Sequence, residues 1–281
     1  MIDNKKKSKI AIVTAIIIGI GLSASFLLGD AQLETYDGPP RALIIDQLHD
    51  EMPNERFHTK ATEYFESAGY TIDIVTTQNV TVDFYKELPK MNYKFVVIRT
   101  HGAENSDDVV LFTGEKYSEE QYIQEQLFGQ VKKATPLLER RYLVDDTSSD
   151  WVIVNDTFRY LSTPANPVSE AEHEYFAIAP KLVSDSMKGK FDDTVFILGG
   201  CNTLSHPSLA KSLIERGASL VVGWDDTIGN TDNDWNMQQL LEKIFVDNMS
   251  VEDAVDSVQE SLNLERMAYP ANFGYYSDKD F

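Results

Sequence analysis

Residues 41–46 (RALIID) and 93–100 (YKFVVIRT) decide the fold, because the interior of each is a continuous apolar run, which is typical of a strand buried on both faces. Between them, apolar residues at helical spacing predict a helix from Phe57 to Ala68, and residues 70–75 (YTIDIV) alternate as a strand does. A shorter helix is predicted at Val82–Leu88, where Pro follows. Strands and helices that alternate in this way predict an α/β fold with a parallel sheet and right-handed crossovers.

A further buried strand, Thr194–Leu198 (TVFIL), follows about a hundred residues later and ends in two glycines and a cysteine. The elements after it continue the alternation of helices and strands, so we expect residues 41–281 to form one domain. They are a helix at Ser208–Arg216, a strand at Ser219–Gly223, and closing helices around Asp234–Val246 and Val251–Glu265.

The pattern is weaker between residues 103 and 192, and we interpret this stretch as an insertion beside the sheet. The elements expected there are a hairpin at Val109–Lys116, helices near Glu119–Lys133 and Ser169–Met187, and strand-like pieces at Tyr142–Val144 and Trp151–Val154.

The N-terminus has the pattern of a membrane anchor. Residues 1–9 carry four lysines, residues 10–29 contain no charged residue, and residues 30–40 form a polar linker with only acidic charges. A helix over residues 10–29 is long enough to cross the hydrocarbon of a bilayer, and the lysines favour a cytoplasmic N-terminus. We therefore expect a single-pass protein of the cell membrane with its domain outside. The alternative is a cleaved signal peptide and a secreted domain.

The formal charge of the chain is −20, from 45 acidic and 25 basic residues. Such a surface repels phosphates, so we expect no nucleic acid partner. Basic peptides remain possible substrates, and a merely solvated acidic surface is the alternative. Cys201 is the one cysteine, so an intramolecular disulfide cannot form.

Two of the predicted strands end in residues that can do chemistry. His101-Gly102 follows one, and Gly199-Gly200-Cys201 follows another. In open parallel sheets, ligands bind at the carboxyl ends of the strands. A thiolate there can attack a carbonyl while a nearby imidazole accepts its proton, and the N–H groups of Gly102 and Cys201 can form an oxyanion hole. The alternative is a buried structural cysteine.

These two motifs resemble the cysteine peptidases of the caspase-like fold, which include caspases, legumain, clostripain, gingipains and separase. The Cys-x-Thr that ends in Thr203 also resembles the peptidase-like domains that share this motif after the strand. The resemblance implies a three-layer sandwich with a mostly parallel central sheet and helices on both faces. It also implies a catalytic pair of His101 and Cys201, with Gly102 and Cys201 as oxyanion donors. Two features depart from caspases: Gln-Ala-Cys-x-Gly is absent, and the two residues are 100 positions apart, about twice the caspase value.

Residues 210–226 extend the likeness to gingipain-type members, in which a helix leads to a strand that ends beside the substrate pocket. Trp224, Asp225 and Asp226 therefore become candidate substrate-binding residues. A carboxylate at this rim would pair with an arginine or lysine of the substrate. The alternative is a turn or a helix cap, where aspartate is also common.

The other histidines have less distinctive settings. His206, five residues after the cysteine, is a rival base that we interpret as a loop residue. Asp46 ends a predicted strand and His49 follows it, and together they suggest a metal site. However, no third or fourth ligand is found in the sequence at the spacing typical of metal sites. His58 and His173 are predicted to lie on helix surfaces. We therefore expect no metal and no cofactor.

The sequence as a whole predicts a membrane-anchored extracytoplasmic cysteine endopeptidase whose partners are the membrane and a peptide or protein substrate, cleaved after Arg or Lys. One alternative is a catalytically inactive caspase-like module that binds or scaffolds, because function depends on the site and not on the fold. Another is a hydrolase or transferase that acts on other acyl groups with the same residue pair.

Overall fold

A computed structural model of the protein describes residues 36, 38–105, 108–136, 151–154, 157–160, 174–265, 267 and 269–281. The central sheet is built from β1 (Arg41–Asp46), β2 (Thr71–Thr76), β3 (Phe95–Arg99), β10 (Thr194–Gly199), β11 (Ala218–Trp224) and β12 (Phe273–Ser277). A second sheet contains β4 (Gly102–Asn105), β5 (Asp108–Lys116), β6 (Val131–Ala134) and β9 (Tyr175–Ile178), while β7 (Trp151–Val154) pairs with β8 (Thr157–Tyr160). The helices are α1 (Glu55–Ser67), α2 (Val82–Glu87), α3 (Ile123–Leu127), α4 (Pro180–Asp185), α5 (Ser208–Glu215), α6 (Asn230–Phe245) and α7 (Val251–Ser261).

The central sheet has the strand order β12-β11-β10-β3-β1-β2. Its first five strands along the chain pair in parallel, and only the edge strand β12 is antiparallel. The predicted α/β fold with a mostly parallel sheet is therefore confirmed. From β1 the chain moves to β2 on one side and then returns to β3 on the other, so the strand order reverses between β1 and β3. In sheets of this kind, ligands bind at the carboxyl ends of the strands beside that reversal.

The alternation of side chains along the buried strands divides the core between the two faces of the central sheet. On one face, Leu43, Val96 and Phe196 pack with residues of α2, α4, α5 and the second sheet. On the opposite face, Ile44 and Val97 pack with α1, α6 and α7. Helices consequently cover both faces, as apolar runs with no polar alternation require.

Helix α1 is held at both ends by local signals. The side chain of Asn54 accepts a hydrogen bond from the backbone N–H of Phe57, which caps the N-terminus. Gly69 ends the helix with a positive φ of 82°, a conformation that glycine adopts without steric cost. The first turn of α1 lies beside the carboxyl end of β1, where its His58 contacts Asp46.

Within the insertion, one prediction was wrong and two helices are shorter than predicted. Val109–Lys116 belongs to the single strand β5, whose hairpin partner is β4. The helix predicted near Glu119–Lys133 is limited to α3, and the end of that segment belongs to strand β6. The helix predicted at Ser169–Met187 is limited to α4, which strand β9 precedes. Pairing with β5 and β9 in the second sheet overrides local helical spacing here. Residues 142–144 and 169–173 lie outside the described residues.

The predicted membrane helix at residues 10–29 also lies outside the described residues. Among the helices that the structure does describe, none combines the length and apolar character needed to span a bilayer.

Candidate active site at the carboxyl ends of β3 and β10

His101 and Cys201 follow two neighbouring strands at matching positions. Strands β3 and β10 pair in parallel with Arg99 opposite Gly199, and the backbone N–H of Thr100 donates to the carbonyl of Gly199 over 3.0 Å. His101 and Cys201 each come two residues after this last aligned pair. The structure therefore brings both residues to the same edge of the central sheet, next to the reversal of strand order.

The two segments that carry these residues approach so closely that only glycine fits between them. A Cβ added to Gly102 would lie 2.2 Å from the carbonyl oxygen of Cys201. A Cβ added to Gly200 would lie 2.6 Å from the carbonyl oxygen of Thr100. Both distances are shorter than any real contact, so the glycines that flank the candidate pair are needed for packing.

Two backbone donors at this edge have no partner in the sheet. Phe112 donates its N–H to the carbonyl of His101 over 3.0 Å, which makes these two residues a hydrogen-bonded pair of the β4–β5 ladder. The next pair, Gly102 with Leu111, is then a non-hydrogen-bonded pair, so the N–H of Gly102 faces away from β5. Within the part of the chain that the structure describes, the N–H of Cys201 donates to no protein acceptor. These are the two N–H groups that the sequence analysis predicts as oxyanion donors.

The imidazole of His101 is held in place from the loop after β1. Its Nε2 lies 3.1 Å from a carboxylate oxygen of Glu51, and the side chain is 14% exposed. The amide oxygen of Gln47 accepts the backbone N–H of His101 over 3.2 Å, and Phe112 packs against the ring edge-on. The contact between Nε2 and Glu51 fixes the orientation of the ring. Sequence reasoning missed Glu51, because a loop glutamate carries no pattern that marks it.

The thiol of Cys201 is half-buried at the edge of the apolar cluster on the α6 face of the sheet. Its Sγ lies 3.5 Å from the carbonyl oxygen of Ile228. The turn that follows is fixed by Thr203, which donates to the carbonyl of Leu198 over 3.2 Å and accepts the N–H of Trp224 over 3.0 Å. The threonine of the Cys-x-Thr motif therefore ties the cysteine loop to strands β10 and β11.

The three candidate substrate-binding residues differ in their settings. Trp224 is 0% exposed and donates its indole N–H to Asn233, so we assign it to the core and not to a substrate contact. The carboxylate of Asp225 accepts both the N–H and the side-chain amide of Asn272, at 2.7 Å each. Asp226 is exposed, and its backbone carbonyl accepts the N–H of Asn202 over 3.0 Å, next to Cys201.

A network of buried charges lies below this edge. Arg99 is 1% exposed, and its guanidinium donates to Asp46 over 3.0 Å and to Asp234 over 2.8 Å. Asp46 also lies 2.8 Å from Nε2 of His58, and Asp234 accepts the amide of Asn54 over 2.7 Å. Burial opposes ionisation of Asp46, but the hydrogen bond from His58 and the charge of Arg99 outweigh it, so the pKa of Asp46 is lowered.

The predicted surface position of His58 was wrong. The residue is only 8% exposed, because the first turn of α1 packs its imidazole onto Asp46. His206 lies in the loop, as interpreted, where its Nε2 is 2.9 Å from a carboxylate oxygen of Glu104. His173 lies outside the described residues.

No protein-family model matches the chain, and no curated protein is similar to it in sequence.

Proposed function

We propose that this protein is a cysteine endopeptidase of the caspase-like fold, with Cys201 as nucleophile and His101 as proton shuttle. One observation carries the proposal: both residues come two positions after the aligned pair Arg99–Gly199, at the carboxyl ends of adjacent parallel strands. We further propose that residues 10–29 anchor the domain outside the cell membrane, on the basis of their apolar sequence and the lysines before them.

The proposed reaction proceeds through an acyl-enzyme. His101 accepts the thiol proton, the sulfur of Cys201 bonds to the carbonyl carbon of the substrate, and the carbonyl electron pair becomes an oxyanion held by the N–H groups of Gly102 and Cys201. The carbon–nitrogen bond then breaks as His101 returns the proton to the leaving amine. Water, deprotonated by His101, attacks the thioester and releases the acid and the thiol. The carboxylate of Glu51 orients the ring.

The carboxylates around the candidate pair favour a basic substrate residue. Glu51 contacts His101, Glu104 contacts His206, and Asp226 is exposed beside the cysteine loop. Both carboxylate oxygens of Asp225 accept hydrogen bonds from Asn272, whereas Asp226 accepts the backbone N–H of Thr227 through Oδ1 only. Asp226 is therefore the better candidate for pairing with an arginine or lysine of the substrate.

Substituting Asp226 tests this specificity. We expect Asp226→Asn to lower kcat/KM for an arginine peptide by about 10- to 100-fold, because a hydrogen bond to a charged group contributes about 1.5–3 kcal/mol. A matched peptide with neutral citrulline in place of arginine should lose much less. The ratio of kcat/KM for the two peptides is the measurement. If Asp226→Asn and Asp225→Asn both keep the wild-type ratio, neither aspartate selects the substrate.

The reactivity of the thiol tests the catalytic pair without a known substrate. We expect iodoacetamide to label Cys201 at pH 7 at least about ten times faster than an ordinary thiol, of which only a few per cent is thiolate at that pH. His101→Ala should remove this excess rate, and His206→Ala should preserve it. Mass spectrometry of the labelled peptide over time gives the rates. Slow labelling that does not depend on His101 would contradict the proposal and favour an inactive binding module.

A further inference from the structure

Three side chains that commonly bind metals come together at the carboxyl end of β1. Asp46 ends that strand, His49 lies in the loop after it, and His58 reaches in from the first turn of α1. An oxygen or nitrogen atom of each lies within 4.8 Å of those of the other two. The Oδ2 atom of Asp46 is 2.8 Å from Nε2 of His58 and 3.7 Å from Nδ1 of His49.

The rings of His49 and His58 lie side by side, and the partly exposed ring of His49 would turn to share a ligand, because an imidazole nitrogen binds an ion in the plane of its own ring. The imidazoles of His49 and His58 are stacked with their centroids 5.4 Å apart and their planes 3° from parallel. The Nδ1 atom of His49 is buried and has no hydrogen-bond partner among the described residues. A buried polar atom without a partner costs free energy, and a metal ion would satisfy this one.

The second oxygen of Asp46 is already fixed by other groups. Its Oδ1 accepts hydrogen bonds from Arg99 over 3.0 Å and from the backbone N–H of Leu48 over 3.1 Å. These bonds orient the carboxylate and leave Oδ2 directed at the two histidines, as the groups that support a metal ligand usually do. With His49 and His58 neutral, as metal ligands are, the charges of Asp46 and Asp234 outweigh the single charge of Arg99, and the remaining negative charge favours a cation.

We propose that Asp46, His49 and His58 bind a divalent transition metal ion of the zinc class. Bond lengths of about 2.0–2.1 Å place tetrahedral ligand atoms roughly 3.3 Å apart, a value between the two observed separations. Binding replaces the hydrogen bond between His58 and Asp46, and Nε2 of His58 would bind the ion without a proton. The side chain of His49 is 31% exposed, which gives the ion a route from solvent. Two nitrogens and one oxygen leave a fourth position for water.

The proposal does not depend on peptidase activity. Because the loop from β1 to α1 also carries Gln47 and Glu51, a bound ion would hold the segment that positions His101. The metal is therefore best detected by binding itself, not by turnover.

The test uses the full chain without a histidine tag, stripped with a chelator and carrying Cys201→Ser so that the thiol contributes no ligand. We expect equilibrium dialysis to give about one Zn²⁺ per chain, and Co²⁺ to give the visible absorption of a tetrahedral site. His49→Ala should weaken binding at least about tenfold. His206→Ala, which changes a loop histidine outside the cluster, should leave the affinity unchanged.

His49→Ala is the decisive variant, because His49 is partly exposed and its substitution is expected to leave the fold intact, whereas His58 is buried. Circular dichroism and urea unfolding check that the variant is folded. Wild-type Zn²⁺ affinity in folded His49→Ala would overturn the proposal, and so would a chain that takes up no Zn²⁺ or Co²⁺ at micromolar concentrations. Equal losses in His49→Ala and His206→Ala would point to nonspecific surface binding and would also overturn it.

Discussion

Replacing Cys201 with alanine should reduce hydrolysis of an arginine peptide by at least about 10⁴-fold, because the variant has no atom that can form the acyl-enzyme. His101→Ala should cause a loss of similar size, since the thiol then has no base within its own site. The double variant should be scarcely worse than either single variant, because two groups that act in one step are not additive. Steady-state kcat/KM for the four proteins measures this.

The matched control is His206→Ala, which removes the nearby rival base and its contact with Glu104. We expect this variant to keep most of the wild-type kcat/KM. A Cys201→Ala protein that retains more than a small fraction of the wild-type rate would refute thiol catalysis. A large loss in His206→Ala with little loss in His101→Ala would transfer the role of base to His206.

Arg99→Met should lower the free energy of unfolding by about 3–5 kcal/mol, the usual cost of removing one partner from a buried ion pair. The methionine has similar length but leaves Asp46 and Asp234 facing each other without a cation in the interior. Urea unfolding at neutral pH with a chelator present, followed by circular dichroism, gives the difference between variant and wild type.

Lys94→Met is the matched control for this measurement. It removes an ion pair with Asp192 in which both side chains are largely exposed, so the expected cost is within about 1 kcal/mol. Equal, small effects of the two substitutions would mean that the charge of Arg99 is not required to compensate the buried carboxylates.

The amino-acid pattern predicted the elements that carry the candidate pair with good accuracy. Strands β1, β3 and β10 were expected within one or two residues of their observed bounds, because buried parallel strands are local apolar runs. The placement of His101 and Cys201 at one edge of the sheet was expected from strand ends alone, since parallel strands finish at the same edge. The pattern failed in the insertion, where partners in the second sheet decide between helix and strand.

Local sequence patterns could not predict which side chains surround the candidate pair. Glu51 and Gln47 stand in a loop, and nothing in their spacing indicates contact with a residue some 50 positions away. His58 is polar and lies in an amphipathic helix, so its spacing did not predict burial against Asp46. Sequence reasoning considered Asp46 and His49 as metal ligands and found no third, because the third comes from a different element.

The sequence alone therefore determined the class of fold and the edge of the sheet at which chemistry is expected, because strand periodicity and chain direction are local properties. Only the tertiary structure decided that Trp224 is buried, that Asp225 is occupied by Asn272, and that Asp46, His49 and His58 meet. Those outcomes depend on contacts between distant segments, and the free energy of such contacts is set by packing and burial in three dimensions.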